Sequence, residues 1–372
     1  MQKGAIGEGY FLHVLPANSG RTYRFIKFIH ENFDVKQHKF VIDSDYVSIL
    51  KNNTRLLEFK DLLYWDDIYK TRRGKSFLFA IFKKSHNIIW HSLSFDRIDA
   101  VEFLLNNKSL MKKSSWIENG FDVFPDSQDK RVVKKARMLR SKMKIIGSIG
   151  FINEKQINKE YGKKCLRVYY PPEPGFYSIP ESKIKHKEHS KSYKLLQIGS
   201  DTRVFSNINN ILTYIKDLSN SKRIKSCCLI LPKNVTLRND KNSLNISPVI
   251  IKKIEKMFVP CMIKNVSYMN IQEYMDYYSR LDDVILSPLE ILNPEYLLAP
   301  IFCDCNVYLL KNNRFTKEMP FCKFVNNLGK IDTKKIRALQ ETDNLPDIFS
   351  VFFPDKIKAK WEVFFEILLK GE

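Results

Sequence analysis

Two carboxylates, Glu118 and Asp122, stand on either side of Gly120 in the segment SSWIENGFDVF, residues 114–124. A carboxylate can take a proton from a hydroxyl group or accept a hydrogen bond from it. Trp116 supplies an aromatic surface beside them, and a glycine lets the backbone turn or lets a ligand come close. The segment therefore allows two interpretations: a turn that buries Trp116, or the floor of a site for a polar ligand.

A second group of candidate residues lies in the second half of the chain. Gly199, Ser200 and Asp201 follow an apolar segment and precede a predicted helix that begins near Asn207. A turn of small residues before a helix presents free backbone N–H groups and the positive end of the helix dipole. Such a turn can hold a diphosphate, although a plain strand-to-helix connection has the same composition.

The chain carries 62 Lys and Arg against 41 Asp and Glu, a formal net charge of +21. Such an excess attracts anions, which include nucleic acids, phospholipid head groups and phosphorylated small molecules. The densest basic run is residues 129–144, in which Val132, Val133, Ala136 and Leu139 recur at helical spacing. This pattern predicts a basic amphipathic helix, which is either a solvated helix face or a surface that docks on an anionic membrane.

Short apolar segments alternate with amphipathic ones along the first half of the chain. They predict helices over residues 21–33 and 97–107, and strands at residues 10–15, 39–43, 77–82, 87–91 and 144–148. A segment rich in Pro, Ser, Lys and His follows, and the alternation then starts again. This pattern predicts an α/β protein with two Rossmann-like domains, each built on a mostly parallel sheet. The predicted divisions are an N-terminal domain (1–180), a linker (181–193), a C-terminal domain (194–345) and a final helical segment (346–372).

Several classes of protein are disfavoured. The chain has neither a P-loop nor a complete GxGxxG motif, which argues against a P-loop NTPase and a dehydrogenase. Its seven cysteines have no framework spacing, and the Cys303-x-Cys305 pair has no second pair or nearby His, so neither disulfides nor a zinc site is expected. No apolar run approaches the roughly 18–20 residues of a membrane span, and the first residues do not resemble a signal peptide. The sequence thus predicts a cytoplasmic protein without a bound metal.

Six short motifs follow the order that one enzyme family shows. They are His13-Val14-Leu15, Gly20-Arg21-Thr22, His91 after an apolar strand, Trp116 with Gly120-x-Asp122-Val123-Phe124, the segment IGSDTRVFSN (198–207), and Phe352-Phe353-Pro354 followed by Trp361. Spread over nearly the whole chain, this set resembles the bacterial glycosyltransferases that move 4-acetamido-4,6-dideoxygalactose from a TDP-sugar to a lipid-linked saccharide in the synthesis of enterobacterial common antigen.

The resemblance implies the GT-B architecture, in which two Rossmann-like domains face a central cleft and a C-terminal helix crosses back to the first domain. It implies metal-independent transfer of a hexosyl or deoxyaminohexosyl group, with a nucleotide-diphosphate sugar as donor substrate and no cofactor. The acceptor would be a glycan or a lipid-linked saccharide in the synthesis of a bacterial surface polysaccharide, such as lipopolysaccharide, or of a glycolipid. The protein would act as a peripheral protein on the inner face of the cytoplasmic membrane, bound to its anionic surface and to no nucleic acid.

The resemblance also assigns roles to residues. The acceptor hydroxyl needs a base, and the candidates are Asp122, Glu118 and His91. The residues expected to bind the acceptor are His13, Arg21, Trp116 and Gly120. The residues expected to bind the donor are Gly199, Ser200, Asp201, Asn207, Lys233, Tyr268 and Glu290. For each histidine the alternative is a hydrogen-bonded core residue, and for Glu290 it is a side chain in solvent.

Two departures from the family pattern leave the identity of both sugars open. The family has a glycine-bearing donor loop where this chain reads SPLEILNPEYLLAPIFCDCNVYL, residues 287–309, without a glycine. The Trp-His-x-Trp pattern of the family becomes Trp116-Ile117-Glu118-Asn119. Two other classes remain as alternatives: a non-catalytic GT-B-like scaffold of a polysaccharide assembly complex, and a basic nucleic-acid-binding protein.

Overall fold

The structure is a computed structural model of the 372-residue chain. It describes residues 9–17, 20–52, 54–91, 98–118, 130–148, 154–163, 165–171, 193–198, 226–232, 262–264, 275–276, 278–279, 281, 283–286, 299–300, 303, 305–310, 323–325 and 353–370. The chain divides into two compact units. One unit contains residues 1–172 together with 351–372, and the other contains residues 173–350.

The first unit is built on a seven-stranded parallel sheet. Its strands are β1 (Phe11–Pro16), β2 (His38–Asp43), β3 (Leu62–Tyr64), β4 (Asn87–His91), β5 (Ser114–Glu118), β6 (Ile146–Ser148) and β7 (Cys165–Arg167). The order across the sheet is β3-β2-β1-β4-β5-β6-β7, so the chain changes its direction of winding between β1 and β4. In open sheets of this kind, ligands bind outside the carboxyl ends of the strands at such a reversal.

Amphipathic helices cover both faces of this sheet. Those within the described residues are α1 (Gly20–Asn32), α2 (Tyr46–Asn52), α3 (Trp65–Tyr69), α4 (Arg72–Lys84), α5 (Ile98–Asn106), α6 (Lys108–Lys112), α7 (Lys130–Lys142), α8 (Glu154–Tyr161) and, from the end of the chain, α9 (Pro354–Lys370). Helix α1 shows the principle: Phe25, Ile26, Phe28 and Ile29 form its buried stripe, at the spacing that places side chains on one helical face.

The C-terminal helix α9 packs on the first sheet although it follows the second unit in sequence. Its Trp361 is fully buried, and the indole Nε1–H donates a hydrogen bond to the Tyr169 carbonyl at 2.8 Å. The ring of Phe365 packs against Phe11 of β1, with centroids 4.7 Å apart. The expectation that the C-terminal helix returns to the first domain is therefore confirmed.

The opposite face of the first sheet carries a second aromatic cluster. Trp90 of β4 and Trp65 of α3 meet edge to face at 5.8 Å, and Phe82 and Phe103 pack around them. The Trp65 indole also donates a hydrogen bond to Asp99 Oδ2 at 2.7 Å, which satisfies the polar atom of an otherwise buried side chain. The sheet is thus buried on both faces, which is the usual state of a parallel sheet.

The second unit repeats the arrangement. Its strands are β8 (Tyr193–Ile198), β9 (Ser226–Pro232), β10 (Met262–Lys264), β11 (Asp283–Leu286), β12 (Asn306–Leu310) and β13 (Lys323–Val325). They pair in parallel in the order β10-β9-β8-β11-β12-β13. Two parallel α/β units confirm the predicted fold class, and the predicted linker at 181–193 lies almost entirely outside the described residues.

One predicted strand is wrong, since residues 77–82 lie inside helix α4. The Thr71 side chain accepts a hydrogen bond from the Gly74 N–H at 2.9 Å and so begins the helix there. Leu78 and Phe82, four residues apart, are buried, whereas Phe77 is 52% exposed. A short apolar run can satisfy helical or strand periodicity, and here the helical spacing decides.

Candidate functional site

Three histidines on adjacent strands form a buried row on the α9 face of the first sheet. His13 lies in β1 and pairs in register with Phe40 of β2 and Ile89 of β4. His38 and His91 are each two residues from those partners, so all three side chains point to the same face. We call His38, His13 and His91 the histidine row.

The imidazoles of the histidine row are hydrogen-bonded to one another. His13 Nδ1 lies 2.9 Å from His91 Nε2, and His13 Nε2 lies 2.9 Å from His38 Nδ1. His91 Nδ1 is hydrogen-bonded to the hydroxyl of Tyr170, which follows β7. Both ring nitrogens of His91 are thus engaged within the protein. His91 can exchange a proton with His13 or Tyr170, while a substrate has no unoccupied ring nitrogen to contact.

Aromatic side chains enclose the histidine row. Trp361 of α9 stacks on His91 with ring centroids 5.8 Å apart, and Phe25 of α1 packs against His91 with centroids 4.5 Å apart. Phe365 contacts the other end, 5.0 Å from His38. The row therefore depends on packing from both ends of the chain.

Burial keeps the histidine row uncharged. It lowers the pKa of His13 well below the ordinary value of 6.5, and the neighbouring His91 and His38 lower it further. Burial also lowers the pKa of His91 well below that value. The pKa of His38 falls to about 4, because burial outweighs the opposing charge of Asp34 and His30 adds to the decrease. At pH 7 each ring therefore has one N–H donor and one acceptor nitrogen.

Trp116 and Glu118 lie on the other face of the sheet. His91 pairs with Ile117, so the residues on either side of Ile117 point away from the histidine row. Glu118 is fully buried, and its Oε2 accepts a hydrogen bond from the Ser148 hydroxyl at 3.4 Å. The structure therefore places two candidate bases, His91 and Glu118, at the same edge of the sheet but on opposite faces.

Trp116 is a core residue in this structure. Its ring is fully buried, the guanidinium carbon of Arg140 lies 4.3 Å from its centroid, and Tyr161 meets it edge to face at 5.5 Å. Arg140 is itself buried and comes from helix α7. Residues 114–118, which the sequence left open between a turn and a site floor, form strand β5, so this tryptophan anchors α7 and α8 to the sheet.

Helix α7 confirms the basic helix predicted from residues 129–144. Leu139 faces the core, while Lys134, Lys135 and Arg137 are exposed. Lys135 pairs with Glu102 and Arg137 with Glu160, each at 3.4 Å. Exposed pairs of this kind are weak, so an anionic surface can compete with the two glutamates for these basic side chains.

The sequence and the fold of the chain can be compared with those of known proteins. No protein-family model and no curated protein sequence matches the chain. Solved structures do match over nearly the full length. A UDP-forming α,α-trehalose-phosphate synthase from Burkholderia xenovorans has a TM-score of 0.58 at 9% identity, with 97% of this chain and 98% of that chain covered. Anabaena HepE in complex with UDP and glucose has a TM-score of 0.61 at 8% identity, with 96% and 99% covered. The fold is GT-B.

A glycosyltransferase from Rickettsia africae is similar to the chain as well. Its TM-score is 0.52 at 16% identity, with 98% of this chain and 94% of that chain covered. At these identities the likeness shows the fold alone, so any activity has to be argued from residues. In the first unit of the GT-B fold, His91 and Glu118 end strands β4 and β5, and Arg21 lies in the first turn of α1 directly after β1.

Many predicted site residues lie outside the described part of the chain. Two belong to the acceptor side, Asp122 and Gly120. The others are the donor-side candidates Gly199, Ser200, Asp201, Asn207, Lys233, Tyr268 and Glu290. Of these, Gly199 directly follows β8 and Lys233 directly follows β9, the position that the sequence assigned to them.

Two residues of the site were missed at the level of sequence. His38 begins β2 and Tyr170 follows β7, yet neither was among the candidates. The available signal was that His13, His38 and His91 each lie in or next to a predicted strand. Within the described residues, no group of His, Cys, Asp and Glu side chains is arranged to hold a metal ion. None of the helices in that part of the chain combines the length and apolar character needed to cross a membrane.

Proposed function

We propose that this protein is a glycosyltransferase that moves a sugar from a nucleotide-diphosphate donor to a hydroxyl group of a glycan or lipid-linked saccharide. The main support for the proposal is the match to solved GT-B structures, which covers nearly the whole chain and includes both parallel sheets. Among the similar structures, the trehalose-phosphate synthase is named UDP-forming and HepE is in complex with UDP and glucose. A shared fold alone does not fix a reaction, so the activity also has to be supported by the residues at the carboxyl ends of the strands.

The reaction requires two kinds of group. The acceptor oxygen attacks the anomeric carbon of the donor sugar, the bond from that carbon to the diphosphate breaks, and the hydroxyl proton has to be taken up. We assign Asp122 as the acceptor-side carboxylate that takes this proton or orients the hydroxyl, with Glu118 as the reserve. Glu118 is the weaker choice because its side chain is fully buried beside Ser148. Arg21, in the first turn of α1, could hold an anionic group of the acceptor.

The donor side would be formed by the turn after β8. Gly199, Ser200 and Asp201 would present backbone N–H groups to the diphosphate, with Asn207 at the start of the next helix and Lys233 as a positive charge. Tyr268 would stack on the base and Glu290 would bind the ribose. Protein N–H groups and cations can neutralise a leaving diphosphate, so the proposed reaction is independent of a metal.

The acceptor would belong to the synthesis of a bacterial surface polysaccharide or glycolipid. Support comes from the motif resemblance and from the exposed basic face of α7, which suits a peripheral protein on an anionic membrane. Lipid-linked acceptors are found at such surfaces, and a protein that docks there meets them at high local concentration.

The proposed function can be tested by thermal-shift measurements with a panel of nucleoside diphosphates and nucleotide sugars, followed by a transfer assay with the ligand that binds. A ligand at a hundredfold its dissociation constant should stabilise the folded protein by about 2.7 kcal/mol. Binding without transfer or hydrolysis would instead favour a non-catalytic scaffold. Binding of random DNA that weakens with salt, without any nucleotide binding, would favour a nucleic-acid-binding protein.

A further inference from the structure

The histidine row and Tyr170 form one continuous chain of three hydrogen bonds. It begins at His38 at the amino end of β2, crosses β1 through His13, and reaches His91 at the carboxyl end of β4, where the Tyr170 hydroxyl completes it. These hydrogen bonds therefore run diagonally across the α9 face of the sheet, from the amino end of β2 to the carboxyl end of β4.

Because the three rings are neutral, the protons in this series of hydrogen bonds can be arranged in only two ways. A neutral imidazole donates from one nitrogen and accepts at the other. If His91 Nε2 donates to His13 Nδ1, then His13 must donate from Nε2 to His38. If His13 donates from Nδ1 instead, His38 must donate to it. All three rings therefore carry the proton on Nε2, or all three carry it on Nδ1, and a change from one arrangement to the other moves one proton along the whole chain.

The two ends of this series of hydrogen bonds lie in different surroundings. At one end, His38 is 6% exposed and lies near the exposed side chains of Asp34 and His30. At the other end, His91 and Tyr170 lie at the carboxyl edge of the sheet, where open α/β sheets bind their ligands. His13 between them is fully buried, so a proton that moves along the row from one end to the other has to pass through the His13 ring.

We propose that Tyr170, His91, His13 and His38 form a proton relay that carries the proton of the reacting hydroxyl from the carboxyl edge of the first sheet to solvent beside Asp34. This inference rests on the proposed function for the source of the proton. As the acceptor O–H bond breaks, its oxygen forms the bond to the anomeric carbon and the diphosphate leaves. The released proton binds to Tyr170 Oη, which passes its own proton to His91 Nδ1.

The transfer continues in the same way along the row. His91 Nε2 passes a proton to His13 Nδ1, His13 Nε2 passes one to His38 Nδ1, and His38 Nε2 releases one to water. One proton has been taken up and one has been released. After the product leaves, the reverse movement restores the first arrangement: water returns a proton to His38 Nε2, and Tyr170 releases one to water at the carboxyl edge. In this scheme the four residues position and conduct the proton, and the acceptor-side carboxylate orients the hydroxyl.

Two variants interrupt the relay at different points. Tyr170→Phe keeps a ring that can pack against Phe25 and Trp361 but lacks the hydroxyl. His13→Gln keeps hydrogen-bonding groups in the middle of the row but cannot exchange one proton for another. The matched control is His86→Gln, because His86 is exposed and lies outside the row. Each variant is first compared with the native protein by unfolding in denaturant.

The first measurement does not depend on any enzymatic activity. In the full-length native protein, nuclear magnetic resonance should show all three rings in the same tautomer. The His13 ring proton should exchange with water at least tenfold faster than the Leu12 backbone amide in the same strand. Tyr170→Phe should slow the exchange of that ring proton at least tenfold, and His86→Gln should leave it unchanged. Mixed tautomers, or ring exchange no faster than that of the Leu12 amide, would overturn the relay.

The second measurement uses sugar transfer. Both relay variants should lower kcat at least tenfold and keep the donor KM within twofold of the native value. In mixtures of light and heavy water, the kcat of the native protein should fall along a curve as the deuterium fraction rises, because more than one proton moves in the same step. Normal kcat in a folded Tyr170→Phe variant would overturn the relay and leave the glycosyltransferase assignment standing. If the native protein transfers no sugar from any nucleotide donor, the proposed function and the catalytic use of the relay both fail, and the exchange measurement still decides whether the row conducts protons.

Discussion

Trp361 lies against His91 with the two ring planes inclined by 22° and the centroids 5.8 Å apart. The pair joins the last helix of the chain to the carboxyl end of β4, so the segment that follows the second unit completes the core of the first. The same indole is hydrogen-bonded to the Tyr169 carbonyl at 2.8 Å, one residue before the tyrosine that contacts His91. Helix α9 therefore covers the histidine row and holds the segment after β7 that carries Tyr170.

The Trp361–His91 contact predicts a large effect of Trp361→Ala on stability. Removal of a fully buried tryptophan costs the transfer free energy of the ring plus that of the cavity, about 3–5 kcal/mol. Unfolding in denaturant should show this loss. Val363→Ala on the same helix is the control, because Val363 is 52% exposed and should change the stability by less than about 0.5 kcal/mol. Equal effects of the two variants would contradict the packing described here.

The histidine row predicts a loss of stability in mild acid. Burial holds the folded pKa values of all three histidines below the ordinary value of 6.5, so the unfolded chain binds more protons as the pH falls. The stabilisation is fully present above about pH 6.5 and is lost progressively toward pH 4, the range set by the value of His38. Three such groups give a slope of at most about 4 kcal/mol per pH unit.

This pH dependence is measured as the free energy of unfolding between pH 7.5 and pH 4.5. Three titratable groups contact the row. Asp34 opposes the pKa shift of His38 and His30 adds to it, and Tyr170 is hydrogen-bonded to His91. His86→Gln serves as the control and should keep the slope. A free energy of unfolding that stays level from pH 7 to pH 5 would show that the row is not neutral in the folded state.

Much of the fold could be predicted from the sequence. The strands β1, β4 and β9 read as short continuous apolar runs, as expected for parallel strands buried on both faces. The predicted helices near residues 21–33 and 97–107 correspond to α1 and α5. The run at 77–82 was misassigned because Phe77 makes it look continuous, although the buried positions Leu78 and Phe82 follow a helical period.

The candidate site was less predictable for a physical reason. The histidine row depends on the register of three strands, β2, β1 and β4, and register is decided by tertiary packing that a local sequence pattern does not contain. For the same reason the sequence could not show that His91 and Glu118 point to opposite faces. Trp116 was expected to bind an acceptor, whereas its strand position and its contact with the buried Arg140 make it part of the core.

The exposed basic face of α7 predicts reversible binding to anionic vesicles. Reversal of Lys134, Lys135, Arg137 and Lys142 to glutamate should weaken cosedimentation roughly a thousandfold, since each charge near an anionic surface contributes about 1 kcal/mol. A matched control reverses four exposed charges of α4: Arg72, Arg73, Lys83 and Lys84. Native binding that is indifferent to both anionic lipid and salt would exclude this docking surface.

The small residues that follow β8 in the sequence predict where the nucleotide binds. Gly199→Val should abolish the binding of the nucleoside diphosphate, because a branched side chain would occupy the space next to the backbone N–H groups. Gly199→Ala should weaken binding less, which separates crowding from a general loss of structure. Calorimetric titration gives the affinities, and far-ultraviolet circular dichroism should remain unchanged. Native affinity in the valine variant would place the diphosphate elsewhere.

Asp122 is predicted to be the carboxylate that acts on the acceptor. It lies two residues beyond Gly120, in the motif that best matches the family, and in the part of the sequence that follows β5. A group that takes or orients the reacting proton contributes about 10²–10⁴-fold to the rate, so Asp122→Asn should lower turnover by this order. The affinity for the donor should hardly change, because the proposed donor residues lie in the second unit.

The control for Asp122 is Asp126→Asn, a carboxylate four residues further along the same segment, which should retain normal turnover. Glu118→Gln separates the two candidates. Because Glu118 is buried and bonded to Ser148, its substitution should lower stability more than it lowers the turnover of the folded protein. Near-native turnover of Asp122→Asn together with a large loss in Glu118→Gln would transfer the role to Glu118. Near-native turnover in both would show that neither carboxylate acts on the acceptor, and Tyr170→Phe then tests whether Tyr170 takes the proton without a carboxylate.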